Sequence, residues 1–161
     1  MEDTVIIYYS LNGNTDHIAR RIAEKTGAKL IRLETKRAYP RKGFKKFFIG
    51  GRDALFGARP ELKASLPDLA PFGNIVIGTP VWASRPAPAI NTFLRSAKLD
   101  GKRIALFACS GGGQAETCLD KIQALLAGNE ILCRVSFISS VFKRGKTVDD
   151  AIDEIVSALS E

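Results

Sequence analysis

The sequence predicts an α/β protein: a five-stranded parallel sheet, in the order 2-1-3-4-5, between two layers of helices. Three observations carry this expectation. Short apolar, β-branched runs alternate with amphipathic stretches of helical spacing along the chain, the pattern of successive β-α-β units. Two of those runs, residues 74–78 and 103–108, are nearly continuous in apolar residues, as expected of strands buried on both faces. The 161 residues, 45% of them hydrophobic, suit one domain spanning 1–161 with a substantial core.

Each element has its own local signal. Thr4 to Tyr9 is a run of β-branched and aromatic residues, hence a first strand. From Thr15 onward, Ile18, Ala19, Ile22 and Ala23 recur at helical spacing, and Gly27 supplies a stop. Lys29 to Glu34 reads as the second strand and Asn74 to Gly78 as the third. Pro88 to Ala97 reads as a helix with proline at its start. Arg103 to Ala108 is the fourth strand, Gln114 to Leu126 a helix and Ile131 to Ile138 the fifth strand. Val148 to Leu159 is an amphipathic final helix. Between the second and third strands, Phe44, Phe47, Phe48, Gly51 and Leu55 fall at i, i+3, i+4 spacing. That spacing predicts a helix with its Phe side packed on the sheet and its Lys side solvated, kinked or weakened at Gly50-Gly51.

Composition narrows the function. No apolar run approaches bilayer length, and the acidic start Met1-Glu2-Asp3 does not read as a signal peptide, so a cytoplasmic protein is expected. Cys109, Cys118 and Cys133 are odd in number, lack CxxC spacing and accompany a single His. This argues against a disulfide framework and a zinc site. The net charge of +7 is local: residues 36–63 hold nine basic and two acidic side chains, so that segment carries the whole excess. A local basic patch points to an acidic partner or ligand rather than general nucleic-acid coating.

In an open parallel sheet the ligand site lies beyond the carboxyl ends of the strands, where strand order reverses. Three loops meet that description. Ser10-Leu11-Asn12-Gly13-Asn14-Thr15 follows the first strand and precedes a helix. Its hydroxyls, amides and helix N-terminus suit a phosphate, and it is neither a nucleoside-triphosphate nor a dinucleotide fingerprint. Thr79-Pro80-Val81-Trp82-Ala83-Ser84 follows the third strand and carries the chain's one Trp, placed to stack on a planar ring or to fold back as a lid. Ser110-Gly111-Gly112-Gly113 follows the fourth strand, and its glycines permit close approach of a ligand to the backbone. His17 reads as a surface residue, Asp16 as a helix-start residue pointing away from the phosphate, and Cys109 as a packed thiol. Arg85 reads equally as a ligand contact or a solvent-exposed residue.

Over essentially its whole length the sequence resembles the flavodoxins. Ser10, Gly13, Asn14 and Thr15 match the family's [ST]-x-[ST]-G-[NT]-T phosphate loop, with Asn12 in place of a hydroxyl residue. Gly78-Thr79-Pro80-Val81-Trp82 is similar to the G-[ST]-P-[TV]-[WY] loop beside the flavin ring, and Ser110 to Gly113 stands where the third flavin loop lies. The resemblance implies a flavodoxin-like three-layer α/β/α sandwich. It also implies FMN as cofactor, held by residues 10–15, 79–84 and 110–113, with no catalytic acid or base and no metal. The implied role is electron transfer with a redox protein partner, one that the basic 36–63 segment would favour as acidic. An NAD(P)H-dependent flavin or quinone reductase of the same fold, and a non-flavin interaction domain, are the alternatives. Two departures stand out: electron-carrier flavodoxins are typically acidic, and residues 40–60 are longer and richer in Phe than the family minimum.

Overall fold

The computed structural model describes residues 3–42, 44–138 and 147–161. Strand β1 (Thr4–Tyr8) leads into helix α1 (Asn14–Thr26), which Gly27 closes by donating its N–H to Ala23 O at 2.7 Å. Then come β2 (Lys29–Arg32), α2 (Phe44–Leu55), β3 (Asn74–Trp82), the two-residue β4 (Arg85–Pro86) and α3 (Pro88–Ser96). The chain continues through β5 (Arg103–Ser110), α4 (Ala115–Gln123) and β6 (Glu130–Ile138) to α5 (Val148–Ser160). The five long strands are parallel in the order β2-β1-β3-β5-β6. Counted without β4, this is the expected 2-1-3-4-5 arrangement.

The pleat divides the core in two. Val5, Ile7, Ile75, Ile77, Ile104 and Leu106 point to one face, where α3 and α4 cover them. Ile6, Tyr8, Val76, Ala105 and Phe107 point to the other, against α1 and α5. Helix α5 starts with a capping box, in which Thr147 and Asp150 exchange side-chain to backbone hydrogen bonds.

Three differences from the sequence expectation shape the site. Strand β3 runs four residues past Gly78. Thr79 and Pro80 stay in register with Ala108 and Cys109 of β5, and Val81 and Trp82 fold back on β4. Proline is tolerated at position 80 because β1 has already ended opposite Gly78, so β1 no longer pairs with that side of β3. Helix α4 is shorter than expected at both ends. Gln114 is left-handed, with φ 72°, and beyond Gln123 the chain tightens into i→i+3 bonds that bury Leu126. The third difference is in α2. Its inner side is made by Gly50 and Ala54, whereas Phe48 is 64% exposed, and Leu55 (53%) and Phe56 (79%) continue the same outward face. The expectation that the Phe side packs on the sheet is therefore corrected at Phe48. The side chains of Phe44, Lys46 and Phe47 lie outside the described part of the structure.

Gly78 has a packing role of its own. Phe107 stands directly opposite it on β5, and its ring lies where a side chain at 78 would be: a Cβ there would stand 2.2 Å from Phe107 Cζ.

Candidate functional site

A cavity of about 850 Å³ opens at the carboxyl ends of β1, β3 and β5. These strands sit at the reversal of strand order, where α/β sheets bind ligands. Each of the three predicted loops contributes to its wall. The β1–α1 loop supplies Ser10, Leu11, Asn12, Asn14 and Thr15; the end of β3 supplies Pro80, Val81, Trp82 and Ala83; the end of β5 supplies Ser110 and Gly111.

Gly13 does not line the wall. It caps α1 from behind, with φ 99° and its N–H on Ser10 Oγ at 3.1 Å. Thr79 is fully buried: its hydroxyl donates to Pro80 O at 2.9 Å and accepts from Ala87 N at 3.0 Å, tying the loop to the start of α3. Ser84 faces away from the cavity. Its hydroxyl bonds Gln114 and its carbonyl accepts from Lys121. Gly112 and Gly113 form an exposed turn folded around the Ser110 hydroxyl, at 2.9–3.1 Å from their backbone atoms.

Among the described residues, no side chain caps the first turn of α1. Its leading N–H groups, the helix dipole and the hydroxyls and amides around them therefore offer an uncompensated positive pole to the cavity. Asp16, the one acid in that turn, is turned aside. It accepts from Tyr8 OH at 2.6 Å and from Arg20 Nε at 2.8 Å, and stands 3.7 Å from Arg32. The Arg20 bond, then that of Tyr8, holds its carboxyl below the usual value. Burial and the same Asp16 contact push the Tyr8 phenol up to about 12. The charge that would repel an anion is thus neutralised beside the loop, not displayed in it.

Trp82 is fixed from behind. Tyr9 and Tyr39 meet it edge-on, with ring centroids 5.8 and 5.2 Å away, and Gly50 of α2 lies under its six-membered ring, where a Cβ would be 3.1 Å off. Tyr39 is itself held by donating to Asp53 at 3.1 Å. The β3–β4 hairpin turns on Ala83 (φ 48°) and Ser84 (φ 60°), both left-handed. This is the two-residue turn that usually carries Asn-Gly, so the sequence held no signal for it.

Six wall residues were not anticipated as such. His17 and Ile18 follow from helix geometry, one turn on from Asn14 and Thr15. Cys109 precedes Ser110 on β5, and burial pushes its thiol up to about 12 against a weaker downward pull from the Thr15 hydroxyl. Gly51, Phe137 and Val148 come from α2, β6 and α5, which reach the cavity through tertiary packing and carry no local mark. Arg85 is half-buried, and its Nε has no hydrogen-bond partner among the described residues.

The arrangement defines a doubly wound α/β protein whose switch-point cavity joins an anion-receptive helix start to an aromatic wall. The chain belongs to the flavodoxin family, whose model matches residues 3–154. Among solved structures, it is similar to a flavoprotein from Lactobacillus acidophilus in complex with FMN (25% identity, TM-score 0.74), covering 91% of this chain and 100% of that one. It is also similar to a putative flavoprotein from Bacteroides uniformis (22%, TM-score 0.78; 96% and 97% covered). A third is a flavodoxin, a WrbA-like protein from Agrobacterium tumefaciens (17%, TM-score 0.64; 99% and 94% covered). No curated protein matches the sequence. Among the described residues, no helix is long and apolar enough to cross a membrane.

Proposed function

We propose that this chain binds FMN non-covalently in the switch-point cavity and works as a cytoplasmic electron carrier between redox partners. The observation that carries the reading is the uncapped start of α1 opening, through Ser10, Asn12, Asn14 and Thr15, into a cavity of about 850 Å³ walled by Trp82. A pocket of that size is in the range of small-molecule and cofactor sites. The FMN complex of the Lactobacillus flavoprotein, 25% identical over 91% of this chain, supports the choice of ligand.

When bound, FMN supplies the redox chemistry, and the protein supplies binding, orientation and electrostatics. Residues 10–15 hold the phosphate with backbone N–H groups, hydroxyls and side-chain amides. Trp82, braced by Tyr9 and Tyr39, presents an aromatic surface to the ring, while Pro80, Val81, Ala83, Ser110 and Gly111 close around it. The half-buried thiol of Cys109, pushed up to about 12 by desolvation, stays protonated at neutral pH where it meets the cavity.

An acidic redox protein is the partner that the basic 36–63 segment favours. The outward face of α2 and the residue after it carry Lys45, Phe48, Arg52, Leu55 and Phe56, all exposed. They lie beside the cavity, since Gly51 is part of its wall. An apolar centre with cationic neighbours is the composition of a docking patch.

The absorption spectrum of the purified protein, before and after FMN addition, tests the reading. Bound flavin bands and stoichiometric uptake are expected. A colourless protein that takes up no FMN would overturn it. Flavin reduction on mixing with NAD(P)H alone would identify a reductase of this fold, whereas a carrier stays oxidised until a partner reductase is added.

A further inference from the structure

We propose that the cleft lined by Arg32, Arg41 and Lys42 is a second phosphate site, taking a nucleotide phosphoryl group additional to the one held at the start of α1. The proposal rests on the flavin reading, because the first phosphoryl is that of the bound flavin. The cleft, about 540 Å³, is completed by Leu11, Asn12 and Gly13. It thus lies along the phosphate loop, and it shares Leu11 and Asn12 with the large cavity.

Three cations meet there, and among the described residues no carboxylate lines it. Arg32 is locked to the loop: its Nη2 donates to Ser10 O at 2.9 Å. Among the described residues its charge is answered only by Asp16, at 3.7 Å, and Asp16 is already engaged by Arg20. Elsewhere in the basic segment Lys36 pairs with Glu61, Arg52 with Asp53, and Lys63 with Glu34. Arg41 and Lys42 make no ion pair with any described residue. Three like charges gathered in a concavity repel one another, and an anion relieves that repulsion. Two guanidinium forks and an ammonium match the tetrahedral oxygens of a phosphoryl group.

A ligand anchored at the start of α1 reaches the cleft by passing over Leu11 and Asn12. Two sources carry the needed group: the second phosphoryl of FAD, bound in place of FMN, or a phosphate of NADPH, bound to the FMN-loaded protein. The chemistry is the same, and the two are separable by titration.

The test compares the parent with an R41Q/K42Q variant. Arg41 and Lys42 are exposed and make no hydrogen bonds to described residues, so the variant keeps its fold, checked by far-UV circular dichroism. Apoprotein is titrated with FMN and with FAD by flavin fluorescence, and FMN-loaded protein with NADPH by calorimetry. Removing two charge-assisted contacts is expected to weaken FAD or NADPH binding by at least about tenfold while FMN binding moves less than about threefold. Loss in the FAD arm identifies the flavin cofactor as the source, and loss in the NADPH arm identifies a separately bound nucleotide. The proposal is overturned if neither affinity falls, or if FMN binding falls as much as FAD binding, since the cations then serve the first phosphoryl. A parent that takes up FMN while the double substitution is silent overturns this proposal alone; a parent that takes up neither flavin overturns the cofactor assignment as well.

Discussion

Gly78→Ala should destabilise the protein by about 2–3 kcal/mol through a single steric conflict. The added methyl would meet three carbons of the Phe107 ring at 2.2, 2.4 and 2.8 Å. Carbon–carbon contacts are comfortable at about 3.5–4.0 Å, so the ring must retreat by more than about 1 Å. It has nowhere to go: Phe107 is 0% exposed and its far side meets Phe137 edge-on at 5.8 Å. Overpacking against so rigid a neighbour costs about 3–4 kcal/mol, at or just beyond the upper end of the usual range. A gain of about 0.5–1 kcal/mol from replacing glycine in a strand interior offsets part of it. For a chain of this size the net loss corresponds to a fall of roughly 5–10 °C in Tm. Urea unfolding followed by circular dichroism would measure it. Phe107→Leu makes room, so in that background Gly78→Ala should cost less than about 1 kcal/mol, a coupling visible in a double-mutant cycle. A Gly78→Ala protein as stable as its parent, or equal costs in the two backgrounds, would refute the argument.

Three further outcomes are expected. Gly50→Ala places a methyl 3.1 Å from the Trp82 ring; since Trp82 is the chain's one tryptophan, its emission should shift and FMN affinity should fall, and an unchanged spectrum with unchanged affinity would count against Trp82 as cavity wall. Ala83→Asn should stabilise the apoprotein by about 0.5–1 kcal/mol, because Ala83 sits at φ 48° in a turn that Asn adopts readily; thermal melts read this directly. The Asp16 carboxyl is held below its usual value by Arg20 and then Tyr8, so its contribution is complete above its unfolded value of 3.8 and is lost as pH falls through the folded one. Tyr8, raised to about 12 chiefly by burial, contributes fully below pH 10 and ceases to contribute as pH rises through 12. Asp16→Asn should therefore lower stability at neutral pH and flatten the acid limb of the stability–pH profile; an unchanged acid limb would dissociate Asp16 from it.

The order of the five long strands and of the helices is legible in the residues alone, because burial on both faces of a parallel sheet leaves apolar runs that stand out against amphipathic helices. The residues also mark the loops that leave the sheet at the cavity: the β1–α1 loop, Pro80 to Ala83 and Ser110-Gly111 all contribute to its wall, each following directly on a recognisable strand. Tertiary structure decided what depends on neighbours distant in the chain. Trp82 is braced by Tyr9, Tyr39 and Gly50, and the cavity is closed by Gly51, Phe137 and Val148, none of which differs locally from core or helix residues. Thr79 turned inward because β3 continues past Gly78 and its hydroxyl is needed to bond Ala87 N–H. The outward aspect of Phe48 was likewise invisible in its spacing. Periodicity names the residues that share a helix face, and only packing decides whether that face meets the sheet or the solvent.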